Sequence, residues 1–260
     1  MSTLEQDLHN AVRGGQLLQI QSLLLKGAKI NCIYYGWTPL QQAIDAGNEA
    51  VALFLIEEGC DINYHDNNNL APFENAVKKN QAKVCELLLK KGIDGNLALS
   101  DGEVPLHVAV EKGSTKLVSV LINEGKVDLS CKNKRGQSPL YVACSEGLTK
   151  IASMLVTSGA DVNFQCEDDG QTSLIAAASN EHQDVVKILL KYNADVNIQD
   201  TDGWTALWHA YTNSSEDIID LLLRAGANRN IPNSDGLTIM EDARENEDDE
   251  MLILFQKYLT

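Results

Sequence analysis

The sequence is poor in aromatic residues, which make up 5% of its 260 positions, and it holds only 5 prolines and 6 cysteines. It is also short of positive charge: 21 Lys plus Arg stand against 37 Asp plus Glu, for a net charge of -16. No apolar run nears the ~18 residues of a membrane-spanning helix, so no membrane insertion is expected. The opening stretch, MSTLEQDLHNAVRGG, lacks the basic-then-apolar order of a secretory leader, which places the chain in the cytoplasm, with the nucleus as a second compartment. Scarcity of Lys and Arg disfavours nucleic acid, whose phosphates need neutralising, and anionic lipid for the same reason. Cys32, Cys60, Cys85, Cys131, Cys144 and Cys166 are scattered, with no pair two or four apart and no His at metal-ligand spacing, which argues against zinc. They are too sparse for a disulfide-stapled scaffold and read as reduced thiols in or beside a core.

Catalytic signatures are missing too. There is no Gly-x-Ser-x-Gly elbow and no glycine-rich phosphate loop ending in Lys-Ser or Lys-Thr. Neither His182 nor His209 has a partner at catalytic or ligand spacing. The carboxylate pairs Asp168–Asp169 and Asp200–Asp202 suit turn chemistry without a ligand and lack the alternating spacing of a calcium loop. The sequence therefore predicts a non-enzyme that needs no cofactor and no metal.

What is present is a repeat. Prolines at 39, 72, 105 and 139 are each followed by Leu40, Phe73, Leu106 or Leu140, and the ladder continues through Leu174, Leu207 and Met240 and back to Leu8. Three residues after each rung stands an alanine, from Ala11 through Ala243. A second ladder, Gly27, Gly59, Gly92, Gly125, Gly159, Asn193 and Gly226, marks unit ends. A period of about 33 residues denotes a stacked array. In GQSPLYVACSEGLTKIASMLVTSGADVN (136–163), Ser138 suits an N-cap and Pro139 the first helical position. Leu140, Ala143 and Cys144 fall on one helical face, then Ile151, Met154 and Leu155 on a second, and Gly159 suits a left-handed C-cap. A helix pair this short buries too little alone, so its stability must come from stacking.

The recurring G-x-T-P-L-x-x-A … G-A-D-x-N pattern, seen in GWTPLQQA, GEVPLHVA, GQSPLYVA, GWTALWHA, GADVN and NADVN, resembles the ankyrin repeat. The resemblance spans essentially the whole chain. It implies an all-α repeat solenoid of helix-turn-helix units with β-turn fingers, organised as one domain over 1–260. The units run approximately 4–33, 34–66, 67–99, 100–133, 134–167, 168–200, 201–233 and 234–260. The motif histidine survives only as His9 and His107; Gln41, Glu74, Tyr141, Ile175, Trp208 and Glu241 replace it, which puts its inter-repeat hydrogen bond at risk. The third unit diverges most, with Asn69, Ala71 and Gly95 at motif positions. Extra residues near Lys126 and Asp168 are expected in surface turns. Both terminal units are expected to turn a polar face outward, with Met251, Leu252, Leu254 and Phe255 packing back on the seventh unit.

The resemblance further implies a non-catalytic protein–protein interaction scaffold or adaptor, a monomer that recognises another protein through its concave face and finger tips. Carried over by position, the partner-binding candidates are Tyr34, Tyr35, Trp37, Asp101, Glu103, Lys134, Arg135, Asp168, Gln171, Asp202 and Trp204. Tyr34, Tyr35 and Trp37 crowd one finger in an aromatic-poor chain, and such side chains are common interface anchors. The net charge favours a basic or locally basic partner. Two further readings are a substrate-reading adaptor that recruits a modifying enzyme such as a ubiquitin ligase, and a small-ligand or nucleotide binder built on the Trp37 finger. Asn163 and Asn197 match the pattern family members present to an asparaginyl hydroxylase.

Overall fold

The computed structural model describes residues 3–258. The last two positions of the eighth repeat lie outside the described residues. Those residues form sixteen helices in eight pairs, divided between two compact units, 1–128 and 129–260. In the first unit the pairs are α1 (Leu4–Arg13) with α2 (Leu17–Leu25), α3 (Pro39–Asp45) with α4 (Glu49–Glu57), α5 (Pro72–Lys78) with α6 (Ala82–Lys90), and α7 (Pro105–Glu111) with α8 (Thr115–Gly125). In the second they are α9 (Pro139–Ser145) with α10 (Thr149–Thr157), α11 (Ser173–Ser179) with α12 (Gln183–Lys191), α13 (Ala206–Thr212) with α14 (Glu216–Arg224), and α15 (Ile239–Glu245) with α16 (Asp249–Gln256). Within each unit inner helices stack in series, α1, α3, α5 and α7 in the first and α9, α11 and α13 in the second, as do the outer helices α4, α6 and α8 and the outer helices α10, α12 and α14. This is the all-α repeat architecture that the period predicts.

The repeat grammar acts as read. Every alanine rung is buried, so the paired helices approach closely. Thr38, Ser138, Thr172, Thr205 and Thr238 each cap an inner helix by accepting the backbone N–H three residues on. Gly159 (φ 96°) and Asn193 (φ 60°) end outer helices in the left-handed region.

Three expectations change. The extra residue of repeat four is absorbed by α8, which is 11 residues long where the outer helices α10, α12 and α14 have 9. Lys126 (φ 47°), not Gly125, then takes the left-handed position. Gly95 is needed for space: a Cβ there would lie 2.9 Å from the Cα and the carbonyl oxygen of Gly125. The departure at Gly95 thus lets two loops meet. The first unit's outward face is not polar, because Leu18 and Leu25 on α2 are 82% and 90% exposed. At the other end the expectation holds in part: Met251 and Phe255 are buried, and the Phe255 carbonyl accepts from Arg229 Nη1 at 2.8 Å, but Leu252 and Leu254 are half-buried and Ile253 is 68% exposed.

Two inner helices lack the cap hydroxyl: α5 starts behind Ala71 and α7 behind Val104, both extended and without a side-chain bond. Val104→Thr is nearly isosteric at a half-buried site, so it is expected to stabilise the protein by about 1 kcal/mol. Ala71→Thr should gain a similar amount. Thermal unfolding of the two single variants checks this, and an unchanged or lower midpoint for both would count against the capping account.

Candidate functional site

The candidate site is the set of finger turns between repeats. Most fingers are closed by a backbone N–H to C=O bond spanning four residues: Asp66 to Leu70, Leu99 to Glu103, Asn133 to Gln137, Asp200 to Trp204 and Asn233 to Leu237. In four of these the leading Asp or Asn braces the turn, its Oδ1 accepting two backbone N–H groups. Asp66 takes those of Asn68 and Leu70, and Asp200 those of Asp202 and Trp204; Asn133 and Asn233 act alike. The Asp200–Asp202 pair is therefore turn chemistry, as expected. Repeat five contributes a longer finger, closed from Cys166 to Gln171, so its extra residue falls in a surface turn.

The first finger differs from all of these. Tyr34 and Trp37 exchange both backbone bonds around a two-residue turn of Tyr35 (φ 52°) and Gly36 (φ 82°), the signature of a tight hairpin that needs two left-handed residues. Gly36 is obligatory twice over, since a Cβ there would strike the Asn67 side chain. Tyr34 lies half-buried with its ring 5.4 Å from that of His9, and its hydroxyl accepts from Gln6 Nε2 at 3.1 Å. Against it, edge-on at 4.4 Å, stands Tyr35, 85% exposed. Trp37 is half-buried.

Several side chains at the motif-histidine position reach the finger that follows. His9 faces the Cys32 carbonyl, Gln41 Nε2 donates to the Tyr64 and Leu70 carbonyls at 3.1 and 2.9 Å, and Trp208 Nε1 donates to the Ile231 carbonyl. Buried Glu74 accepts instead, from the Ser100 N–H at 3.0 Å and its hydroxyl. The expected loss of this bond is thus corrected at Gln41, Glu74 and Trp208, whereas Ile175 has no group to supply it and the Glu241 carboxylate turns to its own Thr238 cap. A parallel set of asparagines spans the loops, with Asn31, Asn96, Asn163 and Asn197 Oδ1 accepting N–H groups of Asp61, Asp128, Asp195 and Asn228. Asn163 and Asn197 therefore serve as braces while remaining exposed.

Charged candidates differ in their surroundings. Asp101 is held by Lys78 at 2.9 Å, and Lys78 also meets Glu74 at 2.8 Å. Hydrogen bonding from Lys78 lowers the Asp101 pKa, and hydrogen bonds to Glu74 and then Asp101 raise that of Lys78. Glu103 is half-buried beside them. In the second unit Lys134, Arg135, Asp168 and Asp202 are exposed on three successive fingers. Neighbouring Lys132 is engaged by Glu167 and lies over the Phe164 ring. Gln171 accepts from the Tyr141 hydroxyl at 3.3 Å, and Trp204 stacks on Trp208 with ring centroids 5.8 Å apart. The aromatic finger and the Lys134–Arg135 spot belong to different units.

Two histidines are less isolated than the sequence predicts. His209 Nε2 meets Asp200 Oδ2 at 2.8 Å, with the Trp204 ring edge-on to the imidazole, and His182 Nε2 lies 2.9 Å from the Ser145 carbonyl. Both contacts bind loop to helix; the nine-residue Asp200–His209 separation matches no catalytic template and became visible only once the finger folded back on α13. Buried thiols are pushed up by loss of water, Cys32 to about 11 and Cys60 and Cys85 to about 12, which keeps them protonated. Among the described residues, no three His, Cys, Asp or Glu side chains gather as a metal site.

A family model described as ankyrin repeats (three copies) matches residues 8–99, 76–166, 106–200, 158–235 and 174–257. The chain belongs to the ankyrin-repeat family. Among solved structures it is similar to the ankyrin repeat domain of Bcl-3, described as a unique member of the IkappaB protein family. That likeness has 26% identity and a TM-score of 0.72, covering 80% of this chain and 94% of that one. It is also similar to the human ASB11 ankyrin repeat domain, with 27% identity and a TM-score of 0.67, covering 85% and 98%. A shorter stretch, 71 residues at 35% identity, matches the 2-5A-dependent ribonuclease of Mus musculus; it spans 26% of this chain and 10% of that protein. Ankyrin repeats are generally non-catalytic modules for binding other proteins.

The Lys78 cluster gives a pH signature. Asp101 sits below its ordinary value of 3.8, so its share of stability is present above that range and disappears as pH falls through the folded value. Lys78 sits above 10.5, so its share persists to that pH and is lost as pH rises through its folded value. Lys78→Met leaves buried Glu74 short of a partner and is expected to cost about 1–3 kcal/mol at neutral pH. Urea titrations from pH 7 to pH 3 should show the gap between wild type and variant narrowing toward acid; a constant gap would contradict the assignment.

Proposed function

We propose that this ankyrin-repeat protein is a non-catalytic scaffold that holds a basic or locally basic protein partner, with the Tyr35 finger as its anchor. The observation that carries the reading is Tyr35 itself: a tyrosine 85% exposed, fixed at the tip of a two-residue hairpin, its ring backed by Tyr34. An exposed aromatic already held in place loses little entropy on binding, which is the usual character of an interface hot spot. Trp37 supplies the flank of the same anchor. Open carboxylates at Asp168 and Asp202 set the field that draws a basic partner, whereas Asp101 is already satisfied by Lys78 and contributes less. Protonated, buried thiols suit a reducing cytoplasmic or nuclear setting. The exposed Asn163 and Asn197 stay available to an asparaginyl hydroxylase.

Partner capture from lysate with wild-type protein, followed by titration, tests the reading. Tyr35→Ala and Trp37→Ala should each weaken binding by about 1–3 kcal/mol with an unchanged helical signal. Asp168→Asn with Asp202→Asn should mainly slow association and flatten its salt dependence. Normal binding by both aromatic variants, with loss on removing Lys134 and Arg135, would mean an acidic partner on the second unit and a wrong assignment.

A further inference from the structure

We propose that Arg13 and the Tyr34–Tyr35 finger form one recognition site, in which the guanidinium takes the side-chain carboxylate of an Asp or Glu on the partner protein, close to the residue that rests on the tyrosines. This rests on the reading of Tyr35 as an anchor and names what stands beside it. With its amide turned so that each group faces a complementary one, Gln42 donates to His9 Nδ1 at 2.6 Å and to the His9 carbonyl at 3.1 Å, while its Oε1 accepts from Arg13 Nε and Nη2, both at 3.2 Å. His9 Nε2 in turn donates to the Cys32 carbonyl at 3.4 Å, which leaves Nδ1 as the acceptor. His9 and Gln42 are buried, whereas Arg13, in the last turn of α1, is exposed. A chain of buried side chains therefore orients one surface guanidinium. Gln42 engages its Nε edge and leaves the Nη1 end open, and a fork held in this way is suited to a carboxylate. Among the described residues no carboxylate pairs with Arg13: its counterpart on the next inner helix, Asp45, is already held by Lys79 at 2.8 Å. The arrangement is local, since later repeats hold Val108, Val142 and Ala176 at the place of Gln42.

The same face of α1 carries the finger. Gln6, His9 and Arg13 follow one another at helical spacing. Gln6 Nε2 donates to the Tyr34 hydroxyl at 3.1 Å, the His9 ring lies 5.4 Å from that of Tyr34, and Arg13 stands one turn further on. The Tyr34 hydroxyl is raised above its ordinary value chiefly by its hydrogen bond with Tyr35, and the charge of Arg13 works against that rise, so guanidinium and finger share one locale. From His9 to Arg13 the helix advances about 6 Å, and an extended chain advances about 3.3 Å per residue. A partner segment lying across the finger thus places its acidic residue roughly two to four residues from the one on Tyr35. A chain with a net charge of -16 still repels a partner that is acidic as a whole. The carboxylate is therefore a local exception in a segment that is basic elsewhere, and it sets the register of binding.

A phage-displayed library of short random peptides, selected on the immobilised full chain, tests it, with Tyr35→Ala, Arg13→Gln and Arg13→Glu as parallel baits of unchanged circular dichroism. Wild type should enrich peptides with Asp or Glu roughly two to four residues from an aromatic or aliphatic side chain. Arg13→Gln should bind synthetic copies of these peptides about tenfold more weakly. Arg13→Glu should select Lys or Arg at the same place, a reversal that misfolding cannot produce. Copies with amidated and free C-termini should bind alike; binding by the free-acid copies alone overturns the assignment to a side chain. Peptides that need Tyr35 yet show no acidic preference, or keep one in Arg13→Gln, overturn the proposal and leave the finger as an anchor. If no enriched peptide depends on Tyr35, the finger falls and the proposal with it.

Discussion

Everything in this protein depends on the fact that its helices are too short to stand alone. Seven-residue inner helices and nine-residue outer ones bury an apolar face only against the next repeat, so each unit is completed by its neighbour. Apolar stacking gives no fixed register by itself. Register comes from side chains that reach a defined distance along the chain: Gln41 to the Tyr64 carbonyl, Asn163 to the Asp195 N–H, Asn48 and Gln81 Nδ2 or Nε2 to carbonyls at the end of the preceding inner helix. Carbonyls and N–H groups that a short helix leaves unsatisfied are thereby satisfied by the adjacent repeat.

That arrangement explains why the fingers can act as a recognition surface. Most turns are braced from inside by an Asp or Asn and several are held from beneath by the preceding inner helix, so a tip residue is positioned without help from a ligand. Tyr35 is positioned without such a brace, because its two-residue hairpin has no residue to spare. The Asp200–His209 contact does the same for the seventh finger, fixing Trp204 between turn and helix. Charge differs from finger to finger: Glu74 and Asp101 are consumed by Lys78, whereas Asp168 and Asp202 stand exposed.

The helix pairs and alanine rungs, along with most of the caps, were legible in the sequence because they follow from local rules repeated every 33 residues or so. Repetition exposed them even where single motifs were poor, as in the third repeat. The motif-histidine substitutions misled, since Gln41, Glu74 and Trp208 make equivalent bonds with different chemistry, and only their surroundings show which atom they reach. Lys126 was hidden because an added residue could lengthen either helix or turn. The exposed Leu18 and Leu25 were visible as letters, but a leucine-rich helix without charge gives little sign of which side is covered. For the binding site, exposure separated Tyr35 from Trp37, and ion pairing separated Asp168 from Asp101; neither property is local to the sequence.

The central claim is that side chains reaching between repeats hold the fingers in place. Hydrogen–deuterium exchange on Gln41→Met measures it most directly, because this substitution keeps the buried volume and removes the amide that serves the Tyr64 and Leu70 carbonyls. The account requires faster exchange over 64–70, fading within one repeat on either side, with the second unit unchanged. Unaltered exchange at 64–70, or an equal rise along the whole chain, would show that stacking alone sets the fingers.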